Sequence, residues 1–223
     1  QASSTYALGR GVSAVDGRLY DSNSGQAQFV GNLSDCMALP GRHNHQNAAA
    51  AYAACRALGL DPQTIMDGIR TFPGLAHRLE MVGEIDGVKF VNDSKATNAE
   101  AAEQALKAYK KAYWIAGGVS KAEGIQPLAP LFPNITKAYL IGDSEETFAA
   151  TLKGKVALQT CGTLENAVQA AFRDAKVVGD ENPVILLSPA CASFDQFRDF
   201  EHRGDVFRSI VQSMMPQELK ELA

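Results

Sequence analysis

A chain of 223 residues, 46% hydrophobic and 21% charged, is long enough to bury a substantial core as one large domain or two smaller ones. Its net charge of −4 argues against a broad nucleic-acid or anionic-membrane surface, while leaving room for a small basic pocket. No apolar run reaches transmembrane length and the start lacks a signal-peptide pattern. Four scattered cysteines (Cys36, Cys55, Cys161, Cys191) fit a reducing, cytoplasmic setting better than a metal site.

Residues 5–39 read as short strands, with Asp16-Gly17 as a hairpin turn, because Asp-Gly supplies the positive φ angles of a type I′ turn. Gln1-Ala2-Ser3-Ser4 carries no initiator methionine and leads into what reads as the interior of a sheet, so the chain is expected to be a piece of a longer protein. An alanine-rich helix follows from His43 to Leu58, with Asn44 as its cap. Asp61-Pro62 opens a second helix as N-cap and first helical residue. Phe72-Pro73-Gly74 is the best boundary candidate.

Beyond it strands and helices alternate. A hairpin crosses Asp86-Gly87, and a helix over 97–110 carries Thr97 and Glu100 as a capping box. Strand 112–116, a short helix at 125–131, strand 137–141, helix 144–152, strand 156–159, helix 164–177 and strand 184–187 come next. Ser193 and Gln196 form a second capping-box pattern, with the last helix running from about Asp195 to Met214. Such alternation predicts an α/β fold: a Rossmann-like, mostly parallel sheet with helices on both faces.

Three loops begin where strands should end, at the edge where such sheets bind ligands. They are Asn92-Asp93-Ser94-Lys95-Ala96-Thr97-Asn98, Gly117-Gly118-Val119-Ser120-Lys121, and the stretch from Ser188 to Glu201. Singly, Ser193 is a helix cap and Lys95 and Lys121 are solvated lysines. Together, two cations and a helix start suit one anionic ligand. Asp93 caps or closes a turn, accepts from ribose hydroxyls, or holds a divalent ion, the ribose role being better supported than the ion because no second carboxylate neighbours it in sequence. His77-Arg78 is a lone basic pair, whose arginine is either simply exposed or a phosphate contact. Asn44 and Asn47 share a helix face and are able to read a purine edge, whereas His43 and His45, on different faces, make a weak zinc pair. No G-x-x-x-x-G-K-[ST] phosphate loop occurs.

Gly41-Arg42-His43-Asn44-His45-Gln46-Asn47, His77-Arg78-Leu79-Glu80, Asn92 to Asn98, and Gly117-Gly118 with Lys121 resemble the Mur ligases in order and spacing. These are ATP-dependent amide-bond ligases of peptidoglycan synthesis. The run Ser188 to Phe200 resembles the branch that adds D-glutamate to UDP-N-acetylmuramoyl-L-alanine through an acyl phosphate. The resemblance implies a remnant of the central ATPase domain over 1–76 and a complete Rossmann-like, D-glutamate-binding domain over 77–223. It further implies ATP contacts from Asn44, Asn47, Arg78 and Asp93, and a D-glutamate site of Lys95, Thr97, Lys121, Ser193 and Phe200, with Lys95 and Lys121 closest to the chemistry. The phosphate loop, the Mg²⁺ ligands and the UDP-binding domain would lie upstream, so the piece alone is expected to be inactive. The alternative is a stand-alone Rossmann-like binding module without catalysis. A nicotinamide-dependent dehydrogenase would need a G-x-G-x-x-G fingerprint, which Gly117-Gly118 with Gly124 does not supply.

Overall fold

The computed structural model describes residues 11–36, 38–178 and 182–215. It divides into two compact units, Gln1–Gly74 and Leu75–Ala223. Residues 5–10 of the expected strand region lie outside the described residues.

In the first unit β1 (Val12–Val15), β2 (Arg18–Asp21) and β3 (Gln28–Asn32) form an antiparallel sheet in that order. Asp16 (φ 48°) and Gly17 (φ 75°) make the expected turn between β1 and β2. Helices α1 (Arg42–Ala57) and α2 (Pro62–Thr71) follow. Leu19, Leu33, Tyr52, Ile65 and Met66 form the buried core of this unit. Asp61 caps α2, accepting from the N–H of Gln63 and Thr64 at 3.1 and 3.0 Å. The α1 cap position belongs to Gly41 instead of Asn44, whose amide donates backwards to the Pro40 carbonyl at 2.9 Å.

The second unit is built on a six-stranded sheet. Its strands are β4 (Glu80–Ile85), β5 (Val88–Asn92), β6 (Ala112–Gly117), β7 (Ile135–Ile141), β8 (Ala157–Gly162) and β9 (Val184–Leu187), in the order β4-β5-β9-β6-β7-β8. Every pairing is parallel except the β4–β5 hairpin. The central strand β6 is buried along its whole length, and its side chains alternate between two cores. Trp114 and Ala116 meet Leu106, Leu128, Phe132 and Phe148 on one face. Tyr113 and Ile115 meet Val168 and Phe207 on the other. The helices are α3 (Ala99–Ala108), α4 (Glu145–Leu152), α5 (Leu164–Val178) and α6 (Phe200–Met214). No helix among the described residues is long and apolar enough to cross a membrane.

Three local expectations need correction. The segment expected as a short α-helix is a 3₁₀-helix over Gln126–Asn134, because Pro127, Pro130 and Pro133 recur every three residues and remove the N–H groups an α-helix would use. Asn98, not Thr97, caps α3: its Oδ1 accepts from Ala101 N–H at 2.9 Å, while Thr97 N–H is drawn to the Lys95 carbonyl at 2.8 Å. The last helix opens at Phe200, not near Ser193. Its cap is Asp199, which accepts from His202 N–H at 2.6 Å. Ser193 closes only a single turn, its carbonyl accepting from Gln196 and Phe197 N–H at 3.2 and 2.8 Å.

Candidate functional site

The strands β5, β9 and β6 are neighbours, so the loops that follow them emerge side by side at the carboxyl edge of the sheet. Three connections knit them together. Val119 and Ala192 pair as an antiparallel bridge, with N···O distances of 2.9 and 3.0 Å, joining the β6 loop to the β9 loop. Gly118 (φ 125°) has no room for a side chain there, since a Cβ would run into the Ala192 carbonyl oxygen.

The second connection is Arg203, which is 1% exposed on the inner face of α6. Its Nε donates to Ser94 Oγ at 2.9 Å, its Nη2 to the Ser94 carbonyl at 2.8 Å, and both Nη groups to the Cys191 carbonyl at 3.1 Å. Burial pushes its pKa down to about 10. One planar guanidinium thereby fixes the β5 loop against the β9 loop. In the sequence its only signal is its place as the polar member of the apolar stripe Phe200, Arg203, Phe207, Val211.

Asp93 is a third junction. It is 8% exposed, and its Oδ1 accepts from Leu79 N–H at 3.2 Å while Oδ2 accepts from Ser188 Oγ at 2.8 Å. Burial raises its pKa to about 7, against the opposing pull of Ser188, Leu79 N–H and Arg78. His77 and Leu79 both adopt left-handed backbone, φ 61° and 47°, flanking Arg78. Glu80 Oε2, which accepts from His77 N–H at 2.8 Å, and the Asp93 carboxyl hold this strained corner. Arg78 itself is exposed.

Of the residues expected at an acceptor site, Lys95 and Phe200 touch, with Nζ 3.7 Å from the ring centroid. Lys95 and Thr97 lie half-buried on the β5 loop, and Ser193 lies buried on the β9 loop. Lys121 is exposed and lines a cleft of about 320 Å³ with Asn98, Glu100, Glu103, Glu123 and Ala190. Lys95, Thr97, Ser193 and Phe200 do not line that cleft. All five residues stand beyond the carboxyl ends of adjacent strands. In the first unit, Asn47 is exposed on α1 and Asn44 half-buried. Among the described residues no three His, Cys, Asp or Glu side chains form a metal-binding group.

Residues 77–191, just over half of the chain, match the model of the Mur ligase glutamate ligase domain. The chain belongs to the Mur ligase family. A UDP-N-acetylmuramoylalanine--D-glutamate ligase of Caulobacter vibrioides is 58% identical over 208 residues, 93% of this chain and 44% of that protein. The ligase of the same name from Rhodospirillum rubrum is 55% identical over 218 residues, 96% of this chain and 45% of that protein. The chain therefore spans less than half the length of these curated Mur ligase relatives. The crystal structure of a UDP-N-acetylmuramate-alanine ligase from Thermotoga maritima superposes with a TM-score of 0.54 at 17% identity, covering 92% of this chain and 45% of that one. That likeness extends the Mur ligase fold to a distant sequence.

Proposed function

We propose that this chain is the carboxyl-terminal part of a cytoplasmic, ATP-dependent ligase that joins D-glutamate to UDP-N-acetylmuramoyl-L-alanine in peptidoglycan synthesis. The observation that carries this reading is the gathering of Lys95, Thr97, Lys121 and Ser193 on three adjacent strand-end loops that Arg203 and the Val119–Ala192 bridge hold in register.

A diacid needs two cationic or hydrogen-bonding seats, and its amine must stay unpaired to act as a nucleophile. Lys121 and Thr97 suit one carboxylate, and Lys95 with Ser193 the other. Phe200 lies under the Lys95 ammonium and restricts where that charge sits. Fixed ammonium groups near the amine favour its neutral, nucleophilic form, because like charges disfavour protonation. The loops thereby orient the acid and hold its amine towards the carboxyl group it attacks.

ATP, when bound, supplies the phosphoryl group that activates the muramoyl-alanine carboxylate. The groups present suit a nucleotide: the exposed Arg78 guanidinium suits phosphate, and Asp93 keeps a further acceptor lone pair on each oxygen for a hydroxyl. In the first unit, Asn44 and Asn47 offer amides to a purine or ribose. Among the described residues no group of three His, Cys, Asp or Glu side chains suits a metal ion. Metal ligands, the phosphate loop and the UDP-binding domain are assigned to the rest of the longer protein.

The test is ADP release by the full-length protein with UDP-N-acetylmuramoyl-L-alanine and single amino acids. Release that depends on D-glutamate is expected. Equal release with other amino acids, or none with D-glutamate, would overturn the assignment.

A further inference from the structure

The twelve residues from Ser188 to Asp199 cross the ends of several strands without regular structure, yet their path is tied down at both ends. Before Ser193 the ties are Arg203 on the Cys191 carbonyl and the bridge of Ala192 to Val119. After Ser193 they come from two side chains outside the acceptor site. Asp195 Oδ2 accepts from the Asp143 N–H at 3.1 Å, in the loop after β7. Gln196 Nε2 donates to the Gly162 carbonyl at 2.7 Å, at the end of β8. The receiving loops are shaped to match. At Gly142 (φ 69°) an added Cβ would displace the Asp195 carboxylate from its contact. Glu145 Oε1 accepts from both Cys161 and Gly162 N–H, at 2.8 and 2.6 Å, and so fixes the carbonyl that Gln196 meets.

Between the two sets of ties sits Ser193, buried, and after it Phe194, 73% exposed. The Ser193 carbonyl closes its turn on the N–H groups of Gln196 and Phe197, so the orientation of the serine depends on where residues 195–197 are held. A loop loosened at 195 and 196 would regain backbone freedom that has to be removed again when a substrate binds.

We propose that Asp195 and Gln196 are positioning residues for the amino-acid substrate: by lashing the β9 loop to the loops after β7 and β8, they hold Ser193 where it meets a carboxylate. The inference rests on the D-glutamate reading and extends it to residues that never touch the substrate. The Asp195 contact is to a backbone N–H, so a neutral amide oxygen serves as well as a carboxylate. The Gln196 contact is to a carbonyl, so a donor is indispensable.

The experiment is steady-state kinetics of the full-length protein with D-glutamate varied. Asp195→Ala and Gln196→Glu are each expected to raise KM for D-glutamate about five- to tenfold, the loss of one hydrogen bond, with kcat changed much less. Asp195→Asn should restore KM to within about twofold of wild type. In a Ser193→Ala background, Asp195→Ala should add less than about twofold, because its effect passes through the serine. Three results would overturn the inference: Asp195→Asn as damaging as Asp195→Ala, a full additive effect on Ser193→Ala, or a lowered Tm with KM unmoved. A wild-type protein that does not use D-glutamate would instead defeat the functional reading on which the inference stands.

Discussion

The Arg203 guanidinium and the Ser94 carbonyl oxygen, 109 residues apart in sequence, lie 2.8 Å apart in the interior. Carbonyl and hydroxyl oxygens satisfy this charge. Arg203→Met removes the buried charge but strands the Ser94 and Cys191 carbonyls. Each such orphan costs about 1–3 kcal/mol, so the variant should lose about 2–6 kcal/mol of stability. Urea unfolding of wild type and variant measures it. A loss below about 0.5 kcal/mol would show that water or neighbouring groups take over both carbonyls.

Asp93 makes stability depend on pH in a direction opposite to that of a salt-bridged carboxylate. Its folded-state pKa of about 7 stands above the ordinary 3.8. Between these values the folded state binds more protons than the unfolded one, so this contribution is full below about pH 4 and is lost as pH rises to about 7. Asp93→Asn keeps an acceptor for Leu79 N–H and abolishes the titration, while its amide N–H group reverses the Ser188 contact by donating to Oγ. Relative to wild type, the variant should therefore gain stability on going from pH 5 to pH 8, on the order of a few kcal/mol. A difference between the two proteins that stays flat across this range would refute the raised pKa.

Lys121 and Lys95 should separate kinetically in the full-length protein. Lys121 is exposed and free to act as a seat for a carboxylate, so Lys121→Ala should raise KM for D-glutamate by about tenfold or more, in line with a charged hydrogen bond. Lys95 is held over Phe200, and Phe200→Leu should raise the same KM about two- to fivefold, the value of a cation–π contact. If both variants retain wild-type KM and kcat, neither residue belongs to the acceptor site.

Gly118→Ala should break the bridge between the β6 and β9 loops. The added methyl group meets the Ala192 carbonyl and the backbone holds φ 125°, so a loss of about 2–4 kcal/mol is expected from strain and overpacking combined. Hydrogen exchange at the Val119 and Ala192 amides would accelerate together. Exchange unchanged at both would mean that the loop absorbs the methyl without parting.

The turns and the sheet class were legible because their causes are local. Asp16-Gly17 and Asp86-Gly87 turn with positive φ at both residues, and Asp61-Pro62 starts a helix by side-chain capping and a preset φ. The start of the last helix was not legible. Ser193 and Gln196 have the spacing of a capping box, but Gln196 is claimed by a carbonyl 34 residues away and Asp195 by an amide 52 residues away. No short window of sequence contains that competition. The strand-end position of Lys95, Lys121 and Ser193 could be read from the pattern, whereas the ties that hold them, from Arg203, Asp195 and Gln196, are tertiary throughout.

Trp114 is the chain's sole tryptophan, fully buried in the central strand, with its indole Nε1 donating to the Ser188 carbonyl at 2.8 Å. That carbonyl begins the loop that carries Ser193. The protein thus contains a built-in fluorophore wired to the edge of the loop after β9. Movement of that loop would be visible as a change in emission wavelength or intensity without any label.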